Sequence, residues 1–100
     1  MEALVGTPCK AAVEKALQLA QQIATGEIPP IDGAQQIAWL GSADCYDFLG
    51  KVDVVMDMAG FWAFVSHWEV RQDDASARGE LSEEIRQAAV LLTQYESRGR

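Results

Sequence analysis

A chain of 100 residues, 49% of them hydrophobic and 23% charged, is long enough for one hydrophobic core and too apolar to stay disordered. Acidic residues outnumber basic ones by 15 to 8, for a formal net charge of -7. With no cluster of Lys or Arg the chain lacks the surface that releases counterions from a phosphate backbone, so nucleic acid is excluded as a ligand class and a basic protein becomes the natural partner.

The first helix is announced by Thr7 before Pro8, a capping hydroxyl followed by a residue whose missing N–H costs nothing at the first helical position. Val13, Ala16, Leu17, Ala20, Ile23 and Ala24 share one side, Glu14, Lys15, Gln18, Gln21 and Gln22 the other, and Gly26 supplies a stop. The alanines on the apolar face allow a neighbour to approach closely. In the corner "GEIPPIDGAQQIAWL", Pro29 and Pro30 hold Ile28 extended, Asp32 is placed to cap the next turns, and Ile28 and Ile31 tuck beneath the loop.

Gly41 is expected to end this second helix and Ser42 to cap the next. Cys45, Phe48, Leu49, Val52, Val55, Met56 and Ala59 then fall within an arc of roughly 120°, which predicts a central amphipathic helix with Gly50 on its polar side. Phe61, Phe64, Val65 and Trp68 also have helical spacing but are rotated from that stripe by more than about 90°, so a break is expected near Gly60. Aromatic and β-branched residues in "FWAFVSHWEV" suit a strand too, but no second strand candidate exists to pair with it. "RQDDASARGE" reads as a polar connector, and a last helix from Ser82 presents Ile85, Ala88, Ala89, Leu92 and Tyr95 to the core. The expected fold is therefore an all-α single domain, residues 1–100, built as a compact bundle of four or five helices.

Cys9 and Cys45 form no CxxC and have no His companion, which predicts free buried thiols. The N-terminus lacks a basic segment followed by an apolar run, so a cytoplasmic location is expected. Val52 to Trp68 is interrupted by Asp53, Asp57 and His67, which argues against a membrane span. His67 has Val70 and Arg71 at the following helical neighbour positions, so neither a metal site nor a catalytic base is expected there, and no cofactor is implied. No calcium-loop spacing is present.

Four aspartates raise a different question. Asp53 and Asp57 stand four apart on one flank of the expected central helix, and Asp44 and Asp47 stand three apart on the other. Like charges at these spacings repel by a few tenths of a kcal/mol, so helix stability does not account for them. A solvated acidic face is the plain account; a docking surface for a partner's Lys and Arg is the sharper one. Trp39 and Trp68 fit core stripes, whereas Trp62 falls just outside one and is the expected aromatic anchor.

The segment from Ala16 to Leu40, "ALQLAQQIATGEIPPIDGAQQIAWL", resembles a pattern of small bacterial all-helical proteins: a helix, then Gly-Glu-Ile with a proline, then Gly-Ala and an Ile on a second helix. In size, acidity and helical composition the whole chain is also similar to bacterial immunity proteins, which occlude toxin active sites. That similarity implies a partner but supplies no catalytic positions. The resulting expectation is a non-enzymatic acidic module that docks a basic protein, a toxin in the sharpest version, through Asp44, Asp47, Asp53, Asp57 and Trp62. Its rivals are a homo-oligomeric structural module joined through Phe61, Trp62 and Trp68, and a small enzyme or ligand-binding domain with a pocket near Trp39, Tyr46 and His67.

Overall fold

The computed structural model of the protein describes residues 6–71 and 73–98. It contains four α-helices, α1 (Pro8–Thr25), α2 (Pro30–Ala43), α3 (Asp53–Val70) and α4 (Ala75–Arg98), with a 3-10 turn at Tyr46–Phe48 and no strand among the described residues. Each helix packs on its neighbours in sequence, and α4 closes the bundle against α1. Cys9 at the start of α1 meets Cys45 just past the end of α2, Ser42 near the end of α2 meets Trp62 in the middle of α3, and Asp57 near the start of α3 meets Tyr95 near the end of α4.

The start and stop of α1 follow from local chemistry. Thr7 Oγ1 accepts from the Lys10 N–H at 3.3 Å, and Gly26 takes a left-handed φ of 81°. The Glu27 N–H then reaches back to the Gln22 carbonyl at 2.9 Å and the Gly26 N–H to the Ile23 carbonyl at 3.2 Å, satisfying carbonyls that the helix end leaves open. Ile28 and Ile31 pack against the core as expected. Asp32 does not cap α2, which begins two residues earlier because Pro30 needs no N–H partner at the first position; Asp32 lies in the first turn, near the positive helix end.

Small residues set the spacing of the first three helices. Ala12, Ala16 and Ala20 form a buried row on α1, and Ala34 and Ala38 continue it on α2. Gly41 does not stop α2, which runs on to Ala43. A Cβ at Gly41 would come within 2.9 Å of both the Ala59 amide nitrogen and Met58 Cβ, so the glycine serves the close approach of α3. Ser42 caps nothing; its hydroxyl accepts from the Trp62 indole N–H.

The expected central helix is also redrawn. Between Cys45 and Val52 the chain makes the 3-10 turn and then reverses at Gly50, whose φ of 78° is left-handed, so α3 begins only at Asp53. From there α3 passes through Gly60 without a break. Its buried residues are Val54, Met58, Phe61 and Val65, spaced four, three and four, together with Val55 from the expected stripe, while Met56 of that stripe turns outward. The apparent rotation at Gly60 arose from joining that turn to the helix. α4 starts at Ala75, seven residues before Ser82: Asp74 Oδ1 accepts from the Ala77 N–H at 3.0 Å, and buried Ala77 and Leu81 extend the row through Ile85, Ala89 and Leu92. Most of the polar connector is thus the first turns of a helix. Arg78 lies over the Trp68 ring, 5.6 Å from its centre, where α4 meets α3.

The two cysteines are buried, as expected, but they are not free. Cys9 and Cys45 form a disulfide across a separation of 36 residues, with their Cα atoms 4.6 Å apart. No local spacing could reveal it, because only the antiparallel return of α2 brings the α2–α3 turn to the start of α1.

Candidate protein-docking surface

The end of the bundle that carries the disulfide also carries all four predicted aspartates. Asp44 follows the last turn of α2, Asp47 lies in the 3-10 turn, and Asp53 and Asp57 occupy the first two turns of α3. The Asp44/Asp47 pair therefore sits on no common helix with Asp53/Asp57, and repulsion at helical spacing applies to the second pair alone. Asp53 is favoured by the positive end of α3. Asp44 stands at the negative end of α2, where the helix dipole adds to its field instead of offsetting it.

All four side chains are exposed, and among the described residues none pairs with Lys or Arg. Among the described residues the ion pairs are Lys10–Glu14 and Arg86–Glu83, each within one helix. Asp57 accepts a hydrogen bond from the Tyr95 hydroxyl, which ties α3 to the far end of α4. Lys51 is the single basic residue between Asp44 and Asp57, so this stretch of the chain carries an excess of negative charge.

The aromatic residues are distributed differently from expectation. Trp62 is 39% exposed, but its indole is held by Ser42 and so presents a fixed ring edge. Tyr46, between Asp44 and Asp47, is 71% exposed and is the aromatic that accompanies the acids most closely in the chain. Trp39, expected in the core, is 62% exposed beside Lys15, Gln35 and Gln36 in a groove between α1 and α2. Helical spacing puts it on the side of α2 that carries Asp32, Gln35 and Gln36, opposite the buried Ala34, Ile37 and Ala38. Trp68 is half-buried against the core.

Trp39, Tyr46 and His67 do not converge. Trp39 lines the α1–α2 groove, Tyr46 lies at the disulfide end, and His67 lies near the opposite end of α3 in a hollow shared with Arg71, Glu80 and Glu84. No group of three or more His, Cys, Asp or Glu able to hold a metal occurs among the described residues. No described helix is long and apolar enough to cross a membrane.

A feature absent from the sequence reading is an apolar groove of about 270 Å³ along the α3–α4 seam. Met56, Gly60 and Phe64 line it from α3, Ala88, Leu91 and Leu92 from α4, with Asp57 at its rim. Leu91 is 60% exposed and Met56 48%. Leu91 standing outside the Ile85–Leu92 row was the available signal. Comparison of the chain with protein-family models, with characterised proteins and with solved structures finds no match.

Proposed function

We propose that the protein is a non-enzymatic binding module whose acidic end docks a basic protein partner. The observation that supports this reading is that Asp44, Asp47, Asp53 and Asp57 are all exposed and have no Lys or Arg partner among the described residues, with exposed Tyr46 between the first two in the chain. Carboxylates without an ion-pair partner steer a positively charged surface into contact, and an aromatic close by gives that contact an anchor. A bacterial immunity protein that occludes a basic toxin is the form of such a module that the sequence resemblance implies, with Trp62 as a second, fixed contact.

The rival pocket at Trp39, Tyr46 and His67 has no geometric support, since those side chains stand on separate parts of the bundle. Self-association must bring together copies that each carry a net charge of -7. A cytoplasmic location, the expectation from the N-terminus, sits poorly with the disulfide, because such bonds persist in oxidising compartments.

The test is affinity capture with the whole chain, followed by association kinetics for the captured protein at low and high salt. The expected partner is basic, associates more slowly as salt rises, and is slowed further by Asp44→Lys combined with Asp47→Lys. Equal rates for the variant and the wild type would refute the acidic docking end.

A further inference from the structure

The α3–α4 groove asks what occupies it, and Gly60 narrows the answer. Glycine inside a helix costs stability relative to alanine, and this fold tolerates that cost where packing demands it. Gly41 is pressed against α3, and a Cβ at Gly33 would meet the Ile23 and Ile28 side chains. Gly60 has no such reason, and neither has Gly79 on the exposed side of α4: a Cβ at either would meet no heavy atom within 4 Å, but Gly60, unlike Gly79, lines this groove. The space it leaves open is the floor of the groove, with the exposed Met56 and Leu91 on either side. The helix backbone is thus bared to an apolar hollow facing outward.

From this we infer that the groove receives an amphipathic helix of the partner, lying across Gly60 with its apolar side chains between Met56, Phe64 and Leu91. From Met56 to Phe64 the groove follows α3 for roughly 12 Å, about two helical turns, which matches apolar anchors at i, i+3 or i+4, and i+7. Charge sets the direction. Asp57 borders the groove toward the start of α3 and Asp53 lies one turn beyond, whereas the opposite end of the seam mixes Glu80 and Glu84 with His67 and Arg71. The partner's Lys and Arg therefore cluster at the helix end that overlies Asp57 and Asp53. A second copy of this chain matches the groove poorly, because it brings the same excess of negative charge.

The inference rests on the acidic docking reading and refines it, so the test separates the two. A labelled synthetic peptide of about 18 residues, five helical turns, is built with leucine along one face and lysine elsewhere, beside a scrambled peptide of the same composition. Binding to the whole chain is followed by fluorescence anisotropy. The amphipathic peptide is expected to bind at least roughly tenfold more tightly than the scrambled one, and Gly60→Leu, which fills the groove, to lower its affinity by roughly tenfold. Leu91→Ser, at an exposed position where folding is not at stake, is expected to weaken it in the same direction.

Equal affinity for the two peptides, or affinity lowered by Asp44→Lys/Asp47→Lys but untouched by Gly60→Leu and Leu91→Ser, overturns the groove and leaves acidic docking standing. Absence of peptide binding overturns the groove, while the kinetics with the captured partner judge the docking end separately. A concentration-dependent dimer that Leu91→Ser dissolves assigns the groove to a second copy, and tighter peptide binding after removal of residues 1–5 assigns it to the chain's own N-terminal segment; either result overturns the inference.

Discussion

The two seams that α3 makes with its neighbours are built on opposite plans. Against α2 the chain removes side chains so that backbones can touch: Gly41 lies so close to Ala59 and Met58 that a Cβ would find only 2.9 Å, and the Trp62 indole is tied to Ser42. Against α4 a glycine is again present, but nothing covers it; Gly60 opens onto a groove rimmed by exposed Leu91 and Met56. The same residue type closes one interface and leaves the other unfilled. Neighbouring atoms, not the residue itself, decide which. The closed seam adjoins the Cys9–Cys45 bond at the end of α2, whereas the open one is an outward-facing apolar groove.

The strongest way to break this comparison is to release that bond. Replacing both cysteines with alanine frees a loop of 36 residues in the unfolded chain and is expected to cost about 3–4 kcal/mol, a fall in Tm of 10 °C or more by roughly 4–8 °C per kcal/mol. Denaturant unfolding with and without reductant measures it, and reductant should have no effect on the double variant. A wild-type protein whose Tm ignores reductant, with two alkylatable thiols in the folded state, would show that the closed seam holds without the disulfide.

Next in size is Gly41→Ala. Alanine gains about 1 kcal/mol of helix propensity, but its methyl would meet α3 backbone, which cannot swing aside as a side-chain tip can. Overpacking costs roughly 1–3 kcal/mol, so a net loss of about 1 kcal/mol, and at most about 2, is expected in chemical denaturation. A neutral result would mean that the α2–α3 seam has slack. Asp74→Ala follows, at about 1 kcal/mol, because it removes the acceptor of the Ala77 N–H. If α4 began at Ser82, that substitution would change nothing.

What could be read from the chain alone divides along the same line. Thr7, Pro8 and Gly26 state the limits of α1 within four residues of where they act, so they were legible. The apolar rows of α1 and α4 were legible for the same reason. Gly41, Gly50 and Gly60 were not: each was read as a stop, a tolerated polar-side residue or a break, and each takes its role from what lies across the seam or from a backbone φ. The acidic residues were visible, but their placement on a turn and two helix ends was not, since the expected helix from Cys45 to Ala59 does not form. Trp39 and Leu91 show how apolar character misleads when position on the helix is set aside: both are exposed, and Trp39 shares the side of α2 with Asp32, Gln35 and Gln36. The disulfide needed the topology first.

Gly60→Ala carries the smallest change, and it has the opposite sign. Where Gly41→Ala introduces a clash, a methyl at position 60 enters open space, so only the helix-propensity gain remains, about 0.8 kcal/mol toward the folded state. For a chain of this length that corresponds to a rise in Tm of roughly 3–6 °C, well within the resolution of a thermal melt. A stabilising substitution would show that the fold does not require glycine at position 60. A loss of stability would instead mean that the α3–α4 seam closes in solution, making Gly60 the counterpart of Gly41 and erasing the difference between the two interfaces.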